Sequence, residues 1–181
     1  MFVEKMREEI ERLKEELDCF QYGCNIFYNW YEDKKYKIGF SDIPDVGTIL
    51  ILNVNIFKKE ELEEMRSKPY ILENCIEVYL EDKKKNVVYT FYIPAGYRYD
   101  GATIPRFFWR LIGPKGDARF LIAALVHDVL CENHNYVDGD RYFANKVFER
   151  LLYVAGVNPF NRWMMFHSVD NFQKFCGWGK R

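Results

Sequence analysis

Apolar and polar positions alternate along the middle of the chain. In CIEVYLE, Ile76, Val78 and Leu80 are separated by Glu77, Tyr79 and Glu81, a period of two that puts one set of side chains on a single face of a strand. CIEVYLE and the apolar segment NVVYTFYI enclose the polar turn DKKKN. Upstream, NIFYNWY and KYKIGF flank a charged turn, and GTILILNVNIF is rich in β-branched residues, which fit a pleated surface. The pattern from Cys24 to Ile93 predicts an antiparallel sheet. The charged segment KKEELEEMRSK, residues 58–68, interrupts it as a helical or solvent-exposed excursion.

From Arg106 onward the period lengthens and predicts helices: a short piece at RFFWRLIG, then 118–133, 139–155 and 160–175. Their limits are punctuated by Gly113-Pro114, by Asp138-Gly139, and by Gly156 with Asn158-Pro159. Strands first and helices afterward make an α+β fold, with an antiparallel sheet in the N-terminal half and a helical bundle in the C-terminal half. An amphipathic helix over residues 1–20 precedes it. There Val3, Met6, Ile10, Leu13, Leu17 and Phe20 form a narrow seam between charged residues. A seam of that width suits a coiled-coil contact, either in a homo-oligomer or with a partner; packing across the protein's own sheet is the alternative. Residues 21–181 are read as one α+β domain.

Composition narrows the function classes. The chain has 181 residues, 49% of them hydrophobic, enough for one sizeable core. Lys and Arg total 26 against 27 Asp and Glu, so no global field draws nucleic acid or an anionic membrane, and no nucleic-acid partner is expected. The five cysteines are scattered without a C-x-x-C pair, which argues against a disulfide framework and for a reducing compartment. The charged N-terminus lacks the apolar core of a signal peptide, and the longest apolar run is too short to span a bilayer. The expected location is a host or bacterial cytoplasm, or a phage virion, with peripheral lipid contact left open.

The chemistry concentrates in AALVHDVLCENH, residues 123–134. Leu121, Ile122, Ala124, Leu125, Val126, Val129 and Leu130 surround the helix almost completely, so His127 and Asp128 are carried into the interior with it. A buried carboxylate needs a partner or a cation, and neighbours on a helix point about 100° apart. On the next helix Asp140 heads the stripe Phe143, Ala144, Val147, Leu151 and Val154, from which it could reach His127. In that arrangement Asp140 fixes the imidazole, His127 takes a proton from water, and Asp128 holds a divalent cation such as Ca²⁺ that stabilises an oxyanion. Carbonyls of the loop IGPKGD, with Gly113 and Gly116, would complete the cation site. A buried polar pair that only orders two helices explains the same residues.

AGYRYDGATIPRFFWRLIGP followed by AALVHDVLC resembles an uncharacterised domain family of phage and prophage genomes. The core of that family reads approximately D-G-A-S-I-P-R-x-x-W, then G-P, then H-D-x-L-Y. The resemblance covers residues 92–178 and implies a phage or prophage origin. The H-D pair is also similar to that of calcium-dependent viral and secreted phospholipases. That likeness implies His127 as general base, Asp128 as calcium ligand and Asp140 as the residue orienting the histidine. Cys131 stands where both patterns have tyrosine, and the calcium loop of those enzymes has no clean counterpart here.

In YDGATIPRFFW, Asp100 caps a helix starting near Pro105 or adds a carboxylate to the His127 site, with Arg106 binding an anionic substrate group. His134 is read as a surface residue. His167 is expected to be partly buried on the last helix; convergence with His127, Asp128 and Asp140 would instead make a zinc or other transition-metal site. No nucleotide loop or G-x-S-x-G motif occurs, so no nucleotide or organic cofactor is expected. Two readings stand: a hydrolase of an ester or phosphoester in lipid or cell-envelope material, and a structural or assembly component of a phage particle.

Overall fold

The computed structural model describes residues 28–48, 58–101, 118–176 and 178. The antiparallel sheet contains β1 (Tyr28–Glu32), β2 (Tyr36–Phe40), β5 (Ile76–Asp82) and β6 (Val87–Ile93), in the order β1-β2-β5-β6. A second antiparallel sheet has the order β3-β4-β7, from β3 (Val46–Thr48), β4 (Tyr70–Leu72) and β7 (Arg98–Tyr99). The segment between β3 and β4 includes helix α1 (Lys59–Ser67), so the charged excursion is helical.

The alternation in β5 sets its register. Ile76, Val78 and Leu80 are fully buried, and Leu80 pairs with Ile38 on one side and Tyr89 on the other. A one-residue slip would carry all three into solvent. The β5–β6 turn is held by the buried Asp82 carboxylate, which accepts from the backbone N–H groups of Lys84 and Lys85 at 3.0 and 3.2 Å. Asn86 adopts a left-handed conformation there, with φ of 55°, a geometry asparagine tolerates.

The C-terminal half holds α2 (Ala118–Glu132), a 3-10 turn (His134–Val137), α3 (Arg141–Val154) and α4 (Pro159–Cys176). As its nearly unbroken apolar circumference predicts, α2 is central: Phe120, Ala123 to Val126, Val129 and Leu130 are all buried. Helix α3 packs against α2 and α4 against α3. Phe143 ties α3 to the sheet, its ring 5.9 Å from Tyr36 and 5.5 Å from Tyr89.

The expected helix over 1–20, the piece at RFFWRLIG and most of GTILILNVNIF lie outside the described residues. Among the described residues no helix is long and apolar enough to cross a membrane. The expectation for the cysteines needs correction. Cys75 is disulfide-bonded while Cys131 is in no disulfide, so the scattered spacing did not exclude a bridge and no longer argues for a reducing compartment.

A buried histidine beside an acidic cavity

His127 sits in the middle of α2 and is 7% exposed. Its Nε2 lies 3.1 Å from Asn145 Oδ1 on α3 and 3.0 Å from the Gln173 side-chain nitrogen on α4. Its Nδ1 lies 3.6 Å from Cys131 Sγ, one helical turn onward, and its ring is 5.0 Å from that of Phe148. Asn145 Nδ2 donates to Asp170 Oδ1 at 3.3 Å, which turns the Asn145 carbonyl toward the histidine. Nε2 therefore carries the proton and Nδ1 the lone pair. The Gln173 carbonyl oxygen is buried without a partner. Turning that amide over would place its oxygen against Nε2–H and remove a donor–donor contact.

Asp140 is not the partner of His127 among the described hydrogen bonds. It is the N-cap of α3: Oδ1 accepts from Phe143 N–H at 2.9 Å, and Oδ2 pairs with Lys85. Burial works to raise the Asp140 pKa, but the Lys85 hydrogen bond, the Phe143 N–H and the Lys85 charge outweigh it and hold the carboxyl below its ordinary value. The stripe that Asp140 heads does face inward, but a first-turn carboxylate satisfies the orphan N–H groups of its own helix. Asp140→Ala is accordingly expected to cost about 1 kcal/mol through the lost cap. Asp140→Asn, which can still cap, should lose much less; equal losses in urea unfolding would contradict this role.

Asp128 points away from His127 into a cavity of about 330 Å³. From α2 the cavity is lined by Asp128, Cys131 and Glu132, from the end of β7 by Tyr99 and Asp100, and beyond α1 by Lys68. Glu132 is engaged on both oxygens, by Lys68 Nζ at 2.9 Å and the Tyr97 hydroxyl at 2.8 Å. Tyr99 is 1% exposed and its hydroxyl has no hydrogen-bond partner. Burial, then the Asp128 charge, pushes its pKa well up, so the hydroxyl stays protonated and can donate. Gly101, at φ of 81°, makes the turn after Asp100 in a conformation open to glycine.

Of the other expected site residues, Asp100 reaches this cavity and His167 does not. His167 is exposed on α4, its ring 4.7 Å from Trp163 and 5.4 Å from Phe166, so the zinc set that required it to converge with His127 is not assembled. Arg106, Gly113 and Gly116 lie outside the described residues, as does any helix that Asp100 would cap. Among the described residues no group of three His, Cys, Asp or Glu side chains is placed to hold a metal ion.

Asn145, Gln173 and Cys131 are the partners that the sequence reading missed. Asn145 stands in register with the buried Phe148 and Leu152, and Gln173 continues the buried row Met165, Val169; a polar residue within an apolar row was the available signal. Cys131 was legible from its spacing of four from His127.

No solved structure matches the chain. A curated relative, the uncharacterized protein y4jT of Sinorhizobium fredii, is 38% identical over 50 residues, 28% of this chain. The match spans 15% of that protein's length. The DUF1353 family, described as a protein of unknown function, matches residues 75–169. That stretch takes in β5 through most of α4, including His127, Asn145 and the acidic wall of the cavity, and the chain belongs to the DUF1353 family.

Proposed function

We propose that the protein is a hydrolase of an ester or phosphoester, working in the cavity between α1, β7 and α2 with His127 as general base. The observation that carries this reading is a buried imidazole whose tautomer is set by Asn145, with its ring packed against the sulfur of Cys131, a residue of the cavity wall. Asn145 takes the orienting role expected of Asp140. Lipid or cell-envelope material in a phage or prophage setting is the substrate class that the family resemblance favours.

The wall carries Asp100, Asp128 and Glu132 against Lys68. That excess of negative charge repels a phosphoester, so a neutral carboxylic ester is the better fit unless a divalent cation intervenes. Such a cation would be held by Asp128 with Asp100. The test is turnover of a p-nitrophenyl ester and of p-nitrophenyl phosphate, each with calcium and with chelator. Turnover of the ester should fall about a hundredfold or more in His127→Gln. Calcium should be needed only for the phosphate, and Asp128→Asn should remove that need's benefit. No turnover of either compound under any of these conditions would overturn the reading.

A second reading, a structural or assembly component of a phage particle, is favoured by one surface. Phe160, Trp163 and Phe175 on α4 stand 60%, 59% and 90% exposed, and large aromatics left in solvent suit a contact with another protein.

A further inference from the structure

Helix α4 turns an aromatic face outward. Phe160, Trp163, His167, Asn171 and Lys174 recur at steps of three and four and are all exposed, with Phe175 beside them. A helix packed on a core ordinarily gives its outer face to charged and polar groups. Here Phe160 stacks on Trp163 at 6.4 Å, and Trp163 meets the His167 ring edge-on at 4.7 Å. We propose that this face docks on an anionic lipid surface. The docking goes beyond the hydrolase reading and does not depend on it.

Charge decides between a lipid surface and another protein. From Pro159 to Arg181 the chain carries four Lys and Arg residues and a single carboxylate, Asp170, although its net charge is -1. Asp170 is buried and shared between Arg141 and Lys174. That cluster therefore keeps a net positive charge, and α4 shows no carboxylate to solvent. An anionic bilayer supplies the matching negative charge, and Trp and Phe are side chains that settle at its headgroup level. By contrast α1, also exposed, opens with Glu60 and Glu61, which an anionic surface repels.

The geometry fits a helix lying along the surface. From Phe160 to Phe175 the helix rises roughly 22 Å at 1.5 Å per residue, so contact at both ends lays α4 in the plane of the headgroups. The face also stands close to the candidate cavity. In the last turn of α4, Gln173 is buried and contacts Cys131 of the cavity wall, while Phe175 is 90% exposed on the other side of the helix. The aromatic face thus ends one helix diameter, roughly 10 Å, from that wall. A docked molecule holds the cavity near the lipid headgroups, where a lipid ester is met.

The test uses the full chain and vesicles of phosphatidylcholine, alone or in equimolar mixture with phosphatidylglycerol, in flotation at low and high salt. The protein should float with the anionic vesicles about tenfold or more better than with phosphatidylcholine, and high salt should remove most of that difference. Phe160→Ser combined with Trp163→Ser should lower binding to the anionic vesicles about tenfold or more. The Tm should stay nearly unchanged, since both side chains already face solvent. Trp163→Phe should still bind but lose part of the blue shift that anionic vesicles produce in the tryptophan emission. Should the double variant fail to fold, the lipid and salt dependence of the wild type and the Trp163→Phe emission still decide. No flotation with anionic vesicles, or equal flotation of wild type and the double variant, overturns the proposal. So does association of the wild type in solution that the double variant loses while neither binds vesicles; the face is then a protein contact. Flotation that needs Phe160 and Trp163, without turnover of any ester, supports the docking and counts against the hydrolase reading alone.

Discussion

Phe148→Ala is expected to destabilise the protein by about 3 to 5 kcal/mol, the range for deleting a large aromatic side chain from a close-packed core. Phe148 is almost fully buried on α3 and its ring lies against His127. Removing it costs the transfer of the ring and leaves a void between α2 and α3, whose packing holds the helical layer together. For a chain of this size the loss corresponds to a fall in Tm on the order of 10 °C. The void also lets the imidazole tilt away from Asn145, so ester turnover should fall in whatever fraction remains folded. Phe148→Leu keeps most of the volume and should lose less than half as much. A loss in Phe148→Ala under about 1 kcal/mol would mean that the site collapses freely, which the contacts of Phe148 do not suggest.

The same helix shows how far the sequence carried the fold and where it stopped. Period-two alternation in CIEVYLE specified both strand and buried face, and the burial of Ile76, Val78 and Leu80 follows from it. The apolar circumference of residues 118–133 likewise specified a central helix, which put His127 in the interior. The partner of His127 was a different matter. Helical periodicity says which residues share a face, but not how far one helix slides along another. Asp140 and Asn145 were both compatible with an inward stripe on α3, and the axial offset between α2 and α3 selected Asn145. Asp140, at the first turn, was claimed by the N–H groups of its own helix and by Lys85 from the β5–β6 turn. The cavity was less legible still, because Tyr99, Asp128 and Lys68 come together from three separate elements. Only the identity of the Asp128 face, about 100° from His127, could be read in advance.

Asp170→Ala is expected to destabilise the protein by about 2 kcal/mol at neutral pH. The figure lies below that for a fully buried ion pair because the cations can partly rehydrate. Asp170 is buried on α4; it pairs with Arg141 and with Lys174 at 2.6 Å, and accepts from Asn145 at 3.3 Å. Burial acts to raise its pKa, but the hydrogen bonds from Lys174 and Arg141 and their charges prevail, and the carboxyl is held below its ordinary value. A depressed folded-state pKa means that the stabilisation is fully present above the unfolded value, about 3.9. It is lost as the pH falls from there through the folded value. The gap between wild type and Asp170→Ala, measured by urea unfolding, should therefore be constant near neutrality and should narrow below about pH 4. A gap that stays constant into acid would show that packing rather than charge accounts for the loss. The effect should also reach the candidate site. Without the Asp170 carboxylate to hold its Nδ2, the Asn145 amide can turn over and present a donor to Nε2, which shifts the His127 proton to Nδ1. Ester turnover in Asp170→Ala should then be lower than in wild type even at temperatures where both are folded, and Asp170→Glu, which keeps the carboxylate, should recover part of that rate.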